Sequence, residues 1–167
     1  SSGLGAPVGS AVAGSADFIS RATRVRKALG GGMRQSGVVA AAALEGLRKQ
    51  LPRIGEDHVN AKRFAQVRSA EVAVSVDPSA VQTNIVLAAV GPDLTSQGIT
   101  ATAFCDRLRE RGLLAMSVTP GVIRFVTHSQ VSSTDIQRAV AVVKEVLEDA
   151  GLRPLGVNRA LPPPLAE

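Results

Sequence analysis

Six of the sixteen glycines in this 167-residue chain fall in two short stretches, which constrain the backbone more than anything else in it. The first is Ser1-Ser2-Gly3-Leu4-Gly5-Ala6-Pro7-Val8-Gly9-Ser10, and the second is Gly30-Gly31-Gly32-Met33-Arg34-Gln35. Without a Cβ, glycine turns freely and lets a ligand or another chain come close. A lone glycine-rich opening reads as a flexible linker on composition. The second stretch argues against that. With no helix cap or strand leading into it, the opening is expected to be the inside of a larger domain whose upstream half is missing. Val8 to Ala13 alternates as a short strand ending at Gly14.

Helical spacing dominates the next stretch. Ser15 suits an N-cap, with Asp17 in the first turn. Phe18, Ala22, Val25 and Leu29 then recur on one face, predicting a helix to about Ala28 that stops at Gly30. A second helix is expected from Gln35 to about Gln50, with Ala40, Ala43, Leu44, Leu47 and Leu51 on one side and Pro52 and Gly55 ending it. A third runs from Glu56 to about Ser69, with Val59, Phe64 and Val67 as its apolar positions.

Beyond Ser69 the pattern mixes strands with helices. Glu71 to Val76 reads as extended and is closed by Asp77-Pro78, and Thr83 to Val90 reads as the clearest buried strand, ended by Gly91-Pro92. Thr100 caps a helix whose face is Ala101, Phe104, Cys105 and Leu108, stopped by Gly112. Leu114 to Val118 and Val122 to Thr127 are strands around a Pro120-Gly121 turn. Ser132 with Asp135 resembles a capping box for a last helix striped by Ile136, Val140, Val143 and Leu147 and closed by Gly151. Strands separated by helices argue an α+β layer for residues 71–151. The tail, Arg153 to Glu167, carries Pro162-Pro163-Pro164 and is expected to be irregular and exposed.

Composition narrows the partners. Hydrophobic residues make up 45% of the chain, enough for a real core, and no apolar run reaches the ~20 residues of a membrane span. The net charge of +5 reads as spread along the chain and mixed with acids. With no Trp or Tyr and only four Phe, stacking platforms for single strands are scarce. Neither nucleic acid nor membrane is expected as a partner; small anions suit the modest positive balance better. Cys105 is the sole cysteine, and neither His58 nor His128 has neighbours at metal-ligand spacing, so no metal site and no disulfide framework are expected. A cytoplasmic setting fits.

Two arginines and a lysine are the residues that could carry chemistry. Arg124 interrupts the apolar strand Val122 to Val126. Alternation puts it on a face with Val122 and Val126, opposite Ile123 and Phe125. A guanidinium there needs an anionic or strongly polar partner, either a salt bridge at the domain edge or a ligand. Arg34 follows three glycines and precedes a helix start, where an anion is favoured. Arg21, Arg24, Arg26 and Lys27 crowd the later turns of the first helix, where cations complement the helix dipole or face an anionic cofactor.

The two glycine stretches, with Ile123-Arg124-Phe125-Val126-Thr127-His128, resemble the low-specificity L-threonine aldolases, pyridoxal-phosphate lyases of the aspartate-aminotransferase fold type. That family reads S-K-G-L-G-A-P-V-G-S at its cofactor lysine and later G-G-G-M-R-Q at the same separation, and the likeness runs from Ser1 to about Gly151. It implies an α/β protein overall. Residues 1–70 would be the end of a fold-type-I large, cofactor-binding domain, 71–151 a small α+β C-terminal domain, and 152–167 a tail. It further implies pyridoxal phosphate, an amino-acid substrate and a homo-oligomer. The implied activity is cleavage of L-threonine or L-allo-threonine to glycine and acetaldehyde. By resemblance Arg124 binds the substrate carboxylate, Arg34 the cofactor phosphate, in a neighbouring subunit, and Lys27 lies near the active site.

One departure stands out: Ser2 occupies the position of the family's Schiff-base lysine, and a hydroxyl cannot condense with the cofactor aldehyde. The family's ring-stacking His, its Asp to the pyridine nitrogen and another Arg come from segments upstream of this loop. This chain alone is therefore expected to turn over little or nothing. The alternatives are a non-catalytic family member kept as a packing subunit, or another fold-type-I pyridoxal-phosphate enzyme. The G-G-G-M-R-Q match argues against the latter.

Overall fold

A computed structural model describes residues 3–68 and 73–152, which fall into two compact units, Ser1–Arg53 and Ile54–Glu167. Ser2, the expected helix end at Ser69, the expected strand start at Glu71 and the proline-bearing tail lie outside the described residues.

The first unit is a loop followed by two helices. Helix α1 spans Ala16–Ala28, and its N-cap Ser15 accepts the Phe18 N–H at 3.3 Å. Its stop explains much of the triglycine. Gly30 adopts φ +82° and donates to the Lys27 carbonyl at 3.1 Å, and Gly31 donates to the Arg26 carbonyl at 2.7 Å. Those two bonds close the helix in a six-to-one, five-to-two pattern that needs a left-handed residue at its turn. A Cβ on Gly31 would stand 2.9 Å from the Arg26 carbonyl oxygen, so that glycine is required by close approach as well. Helix α2, Gly37–Lys49, follows, and a 3-10 turn, Leu51–Arg53, closes the unit.

The expected strand at Val8 to Ala13 does not form. Val8 and Val12 are exposed, Gly9 sits at φ +110°, and among the described residues no strand pairs with this stretch. An alternating stretch without a partner has no use for its backbone hydrogen-bonding groups except water. The opening loop is instead seated on α2. A Cβ on buried Gly46 would lie 2.5 Å from the Leu4 carbonyl oxygen. A mid-helix glycine costs about 1 kcal/mol relative to Ala, and here it makes room for the loop. The apolar stripe expected on α1 has the predicted spacing but buries nothing: Phe18, Val25 and Leu29 are exposed, as are Leu44 and Leu47 of α2 and Leu51 after it.

The second unit is a two-layer α+β sandwich. Helix α3 (Ile54–Arg68) is followed by strand β1 (Val74–Ser75) and a 3-10 turn (Pro78–Ala80) that Asp77 caps through the Ser79 N–H. Then come β2 (Ile85–Val90), the short α4 (Pro92–Thr95), α5 (Ala101–Glu110), β3 (Met116–Thr119), β4 (Val122–Val126) and α6 (Ser133–Asp149). The sheet is antiparallel, ordered β1-β2-β4-β3, with a register shift between Ser117 and Thr119. One face carries α3, α5 and α6. There Phe104, Leu108, Ile123, Val143 and Leu147 are fully or almost fully buried, each contributing roughly 1.5–3 kcal/mol. The other face is open, which corrects the reading of β2 as a fully buried strand: Val86 and Ala88 are buried, but Ile85 and Leu87 are exposed. In α3 the buried apolar residues are Ala61, Phe64 and Ala65, while Val59 and Val67 are half-buried.

Polar bonds tie α3 to the end of the sheet. Buried Thr127 donates its hydroxyl to the Asp57 carbonyl at 2.6 Å. The Asn60 amide donates to the Val131 carbonyl at 3.0 Å, and Asn84 donates to the Thr127 carbonyl at 2.7 Å while accepting the Thr127 N–H at 3.0 Å. Ser132 and Asp135 form the predicted capping box of α6. The Ser132 hydroxyl, ahead of its backbone N–H, holds the Asp135 carboxyl below its ordinary pKa.

Thr127→Val keeps the shape and removes the hydroxyl's bond to the Asp57 carbonyl, which lies inside α3 and keeps its helical partner. Urea unfolding is expected to show a loss of about 0.5–1.5 kcal/mol, with Thr127→Ser recovering most of it. Asp135 has a depressed folded pKa, so its contribution is present above the unfolded value of about 4 and is lost as pH falls through the folded one. Acid unfolding below about pH 4 should therefore be steeper for the parent than for Asp135→Asn.

Candidate functional site

β4 alternates as its sequence requires: Ile123 and Phe125 are buried under the helices, and Arg124 stands on the other side of the sheet. Register places Leu87 of β2 and Met116 of β3 directly beside Arg124. Along the strand lie Val122 and Val126. Leu87 is 54%, Met116 49% and Val126 38% exposed, so the guanidinium rises from an open apolar surface rather than from a salt-bridge network. Its Nε is buried and has no hydrogen-bond partner. Of the two sequence readings, a domain-edge salt bridge is thus not formed among the described residues. An orphaned, charged donor on an open sheet face is what a site for an incoming anion requires.

Lys27 and Arg34 belong to the first unit. Lys27 is exposed in the last turn of α1, and a Cβ on Gly32 would lie 2.8 Å from its Nζ, so the third glycine leaves room for the amine beside the loop backbone. Arg34 is exposed in the turn ahead of α2. Gln35, next to it, is the one non-glycine described at positive φ, +51°, a left-handed conformation costing roughly 1–2 kcal/mol. Ser36 makes no side-chain cap, leaving the first amides of α2 without a side-chain acceptor.

The boundary at Arg53 exposes a charge pattern that reading the chain as one piece misses. The basic residues are not evenly mixed with acids. Residues 1–53 hold eight Lys/Arg and two acids, whereas residues 54–167 hold eleven and twelve. Both acids of the first unit are engaged one helical turn away, Asp17 with Arg21 and Glu45 with Lys49. No acid of that unit is left for Arg24, Arg26, Lys27, Arg34 or Arg48. Counting charge on each side of the Pro52-Arg53 break would have found this from sequence. Cys105 is buried on α5, and burial, ahead of the Asp106 charge, pushes its thiol pKa up, as suits a core residue. His128 accepts the Gln130 N–H at Nδ1, 3.3 Å away. Among the described residues no group of three His, Cys, Asp or Glu could hold a metal ion, and no helix is long and apolar enough to cross a membrane.

The fold is that of the α/β aminotransferase class. A thermostable omega transaminase from Pseudomonas jessenii superposes with a TM-score of 0.58 over 81% of this chain and 33% of its own, at 17% identity. Residues 1–90 match the family model described as beta-eliminating lyase, and the chain belongs to that family. It is 37% identical over 147 residues to low-specificity L-threonine aldolase 1 of Arabidopsis thaliana, covering 88% of this chain and 40% of that protein. It is 39% identical over 142 residues to the low specificity L-threonine aldolase of Escherichia coli K12, covering 84% and 39%. The chain thus spans about 40% of the length of these curated relatives.

Arg124→Met removes an unsatisfied buried donor and keeps an unbranched stem among apolar neighbours. Chemical denaturation is expected to show equal or higher stability, by up to about 1 kcal/mol. A clear loss would mean that Arg124 serves the fold and not a ligand.

Proposed function

We propose that this chain is the C-terminal portion of a pyridoxal-phosphate aldehyde-lyase that cleaves L-threonine or L-allo-threonine to glycine and acetaldehyde. The observation that carries this reading is Arg124, a guanidinium with an orphaned Nε on an open apolar sheet face. In this reading residues 1–70 close the cofactor-binding domain, residues 71–151 form the small domain, and α3 leads from one into the other. A homo-oligomeric cytoplasmic enzyme is part of the same proposal.

The residues present fit part of the cofactor. Cations without acid partners, Lys27 and Arg34 among them, suit its phosphate, and the uncapped start of α2 adds amide donors. Ser2 supplies no amine, so nothing at that position attaches the cofactor covalently. When bound, pyridoxal phosphate supplies an electron sink for the bond pair released as the substrate's Cα–Cβ bond breaks. Arg124 takes the substrate carboxylate in a two-pronged grip, which fixes the direction of the bonds at Cα. Leu87, Met116, Val122 and Val126 flank the guanidinium with hydrocarbon, so a carboxylate seated on it displaces water from that face and the pair strengthens. Lys would offer a point charge in place of the fork.

Ser2 favours a second reading, a family member without catalysis, kept for packing. The two separate in one experiment. A version extended upstream by a cofactor-binding half and carrying Ser2→Lys should bind pyridoxal phosphate covalently, seen as a borohydride-fixed adduct at position 2, and release acetaldehyde from threonine. With Ser2 unchanged it should show neither adduct nor comparable turnover. Equal turnover with Ser2 would overturn the assignment of this loop.

In that active background Arg124→Lys should raise the Michaelis constant for threonine while leaving cofactor affinity unchanged, the loss corresponding to roughly 2–5 kcal/mol if the pair is desolvated. Arg34→Ala should do the reverse, weakening pyridoxal phosphate in a titration.

A further inference from the structure

The second unit also holds a cleft of about 320 Å³, between the end of β4, the first half of α6 and the Gly112–Leu114 turn after α5. It opens on the helix-covered side of the sheet, away from Arg124. Phe125, which alternates with Arg124 along β4, forms its wall together with Phe64 of α3 and Ile136 and Val142 of α6. The two phenyl rings pack at 4.8 Å between centroids, tilted by 49°, and give the cavity a rigid apolar floor. Its volume lies at the lower end of the roughly 300–1,000 Å³ of small-ligand sites, which pair such walls with a few converging polar groups.

The charged groups at the mouth differ in what they have left to offer. Arg111 is committed to the Asp149 carboxylate and to the Arg107 carbonyl. Asp135 accepts the Ser132 N–H at 2.9 Å and its hydroxyl at 2.6 Å, so its carboxylate is turned to the helix cap. Arg138, one helical turn beyond Asp135, makes no hydrogen bond or close ion pair among the described residues, and its charge acts on Asp135 only through space, helping to hold that carboxyl below its ordinary pKa. The second ring nitrogen of His128, Nε2, is likewise unused, because only Nδ1 is engaged, accepting from Gln130. Two donors with spare capacity, one of them permanently charged, border a hydrocarbon-lined hollow.

We propose that this cleft binds a small amphiphilic carboxylate, its hydrocarbon body against Phe64, Phe125, Ile136 and Val142 and its carboxylate on the Arg138 guanidinium and His128 Nε2. This does not rest on the lyase reading, since the site uses the opposite face of β4 from Arg124. A ligand here wedges between α6 and the sheet without touching the face on which the amino-acid substrate is proposed to bind.

The test is a titration of the ¹⁵N-labelled 167-residue chain with 4-phenylbutanoate, followed by amide chemical shifts, with 4-phenylbutan-1-ol as the uncharged counterpart. Saturable shifts are expected at His128, Ile136, Arg138 and Val142 and not at Leu87 or Met116, with the alcohol about tenfold weaker. Arg138→Gln, an exposed change that leaves the core intact, should weaken the carboxylate about tenfold and leave the alcohol unchanged. Ala139→Phe, which fills the cleft, should abolish both, with retained amide dispersion showing that it still folds. Absence of saturable shifts up to the roughly millimolar range of a weak site overturns the proposal. Equal affinity for the alcohol overturns the anion recognition, and shifts centred on Leu87 and Met116 overturn the location.

Discussion

Ile123 and Phe125 leave β4 on the side covered by α3, α5 and α6, as does Thr127 just past its end, and Arg124 leaves it on the other. That pleat is enforced energetically. Slipping the strand by one residue would drive the guanidinium into the core and expose Ile123 and Phe125. The ladder to β2, pairing Leu87 with Arg124 and Val86 with Phe125, locks the register from one side, and the Thr127 hydroxyl on the Asp57 carbonyl locks it from the end. The arginine's position on the open face therefore follows from the burial of its neighbours. A site held that way is carried on a sheet rather than on a loop, which limits how far it can wander.

Charge works on a coarser scale. The chain's whole positive balance lies in its first 53 residues, whose two acids are engaged with Arg21 and Lys49. The second unit, where helices pack on a sheet, is nearly neutral, and most of its described acids lie at caps or on helix surfaces, Asp57 being buried. Residues such as Lys27 and Arg34 stay exposed without acid partners. Keeping them so raises self-repulsion in a small unit, and an anion relieves it.

Much of the second unit was legible because its signals are local and agree with one another. Thr100 and Ser132 cap helices at the expected positions, Ala101, Phe104, Cys105 and Leu108 form one buried face, and Gly112 and Gly151 turn at positive φ where helices were expected to stop. The first unit read less well. Val8 to Ala13 has the alternation of a strand, but alternation says only that two sides differ, and a strand needs a neighbour. The stripe of Phe18, Val25 and Leu29 was placed correctly on a helix, yet periodicity cannot tell a face that is covered from one that is merely apolar. In α6 the burial falls on Ile136, Val142, Val143, Val146 and Leu147, with Val140 only half-buried.

Sequence alone determined the caps and stops of α1, α5 and α6, the facing of β4 and the absence of a side-chain amine at position 2, since each depends on residues within a few positions of one another. The resemblance carried by its glycine and arginine motifs added the family. Only the tertiary structure decided that the open face of the sheet leaves Arg124 without a protein partner. It also showed that Gly46 makes room for Leu4 and that a cleft with two spare donors lies behind Phe125. These depend on which distant segments meet, and residue spacing along a chain carries no record of that until the chain has folded.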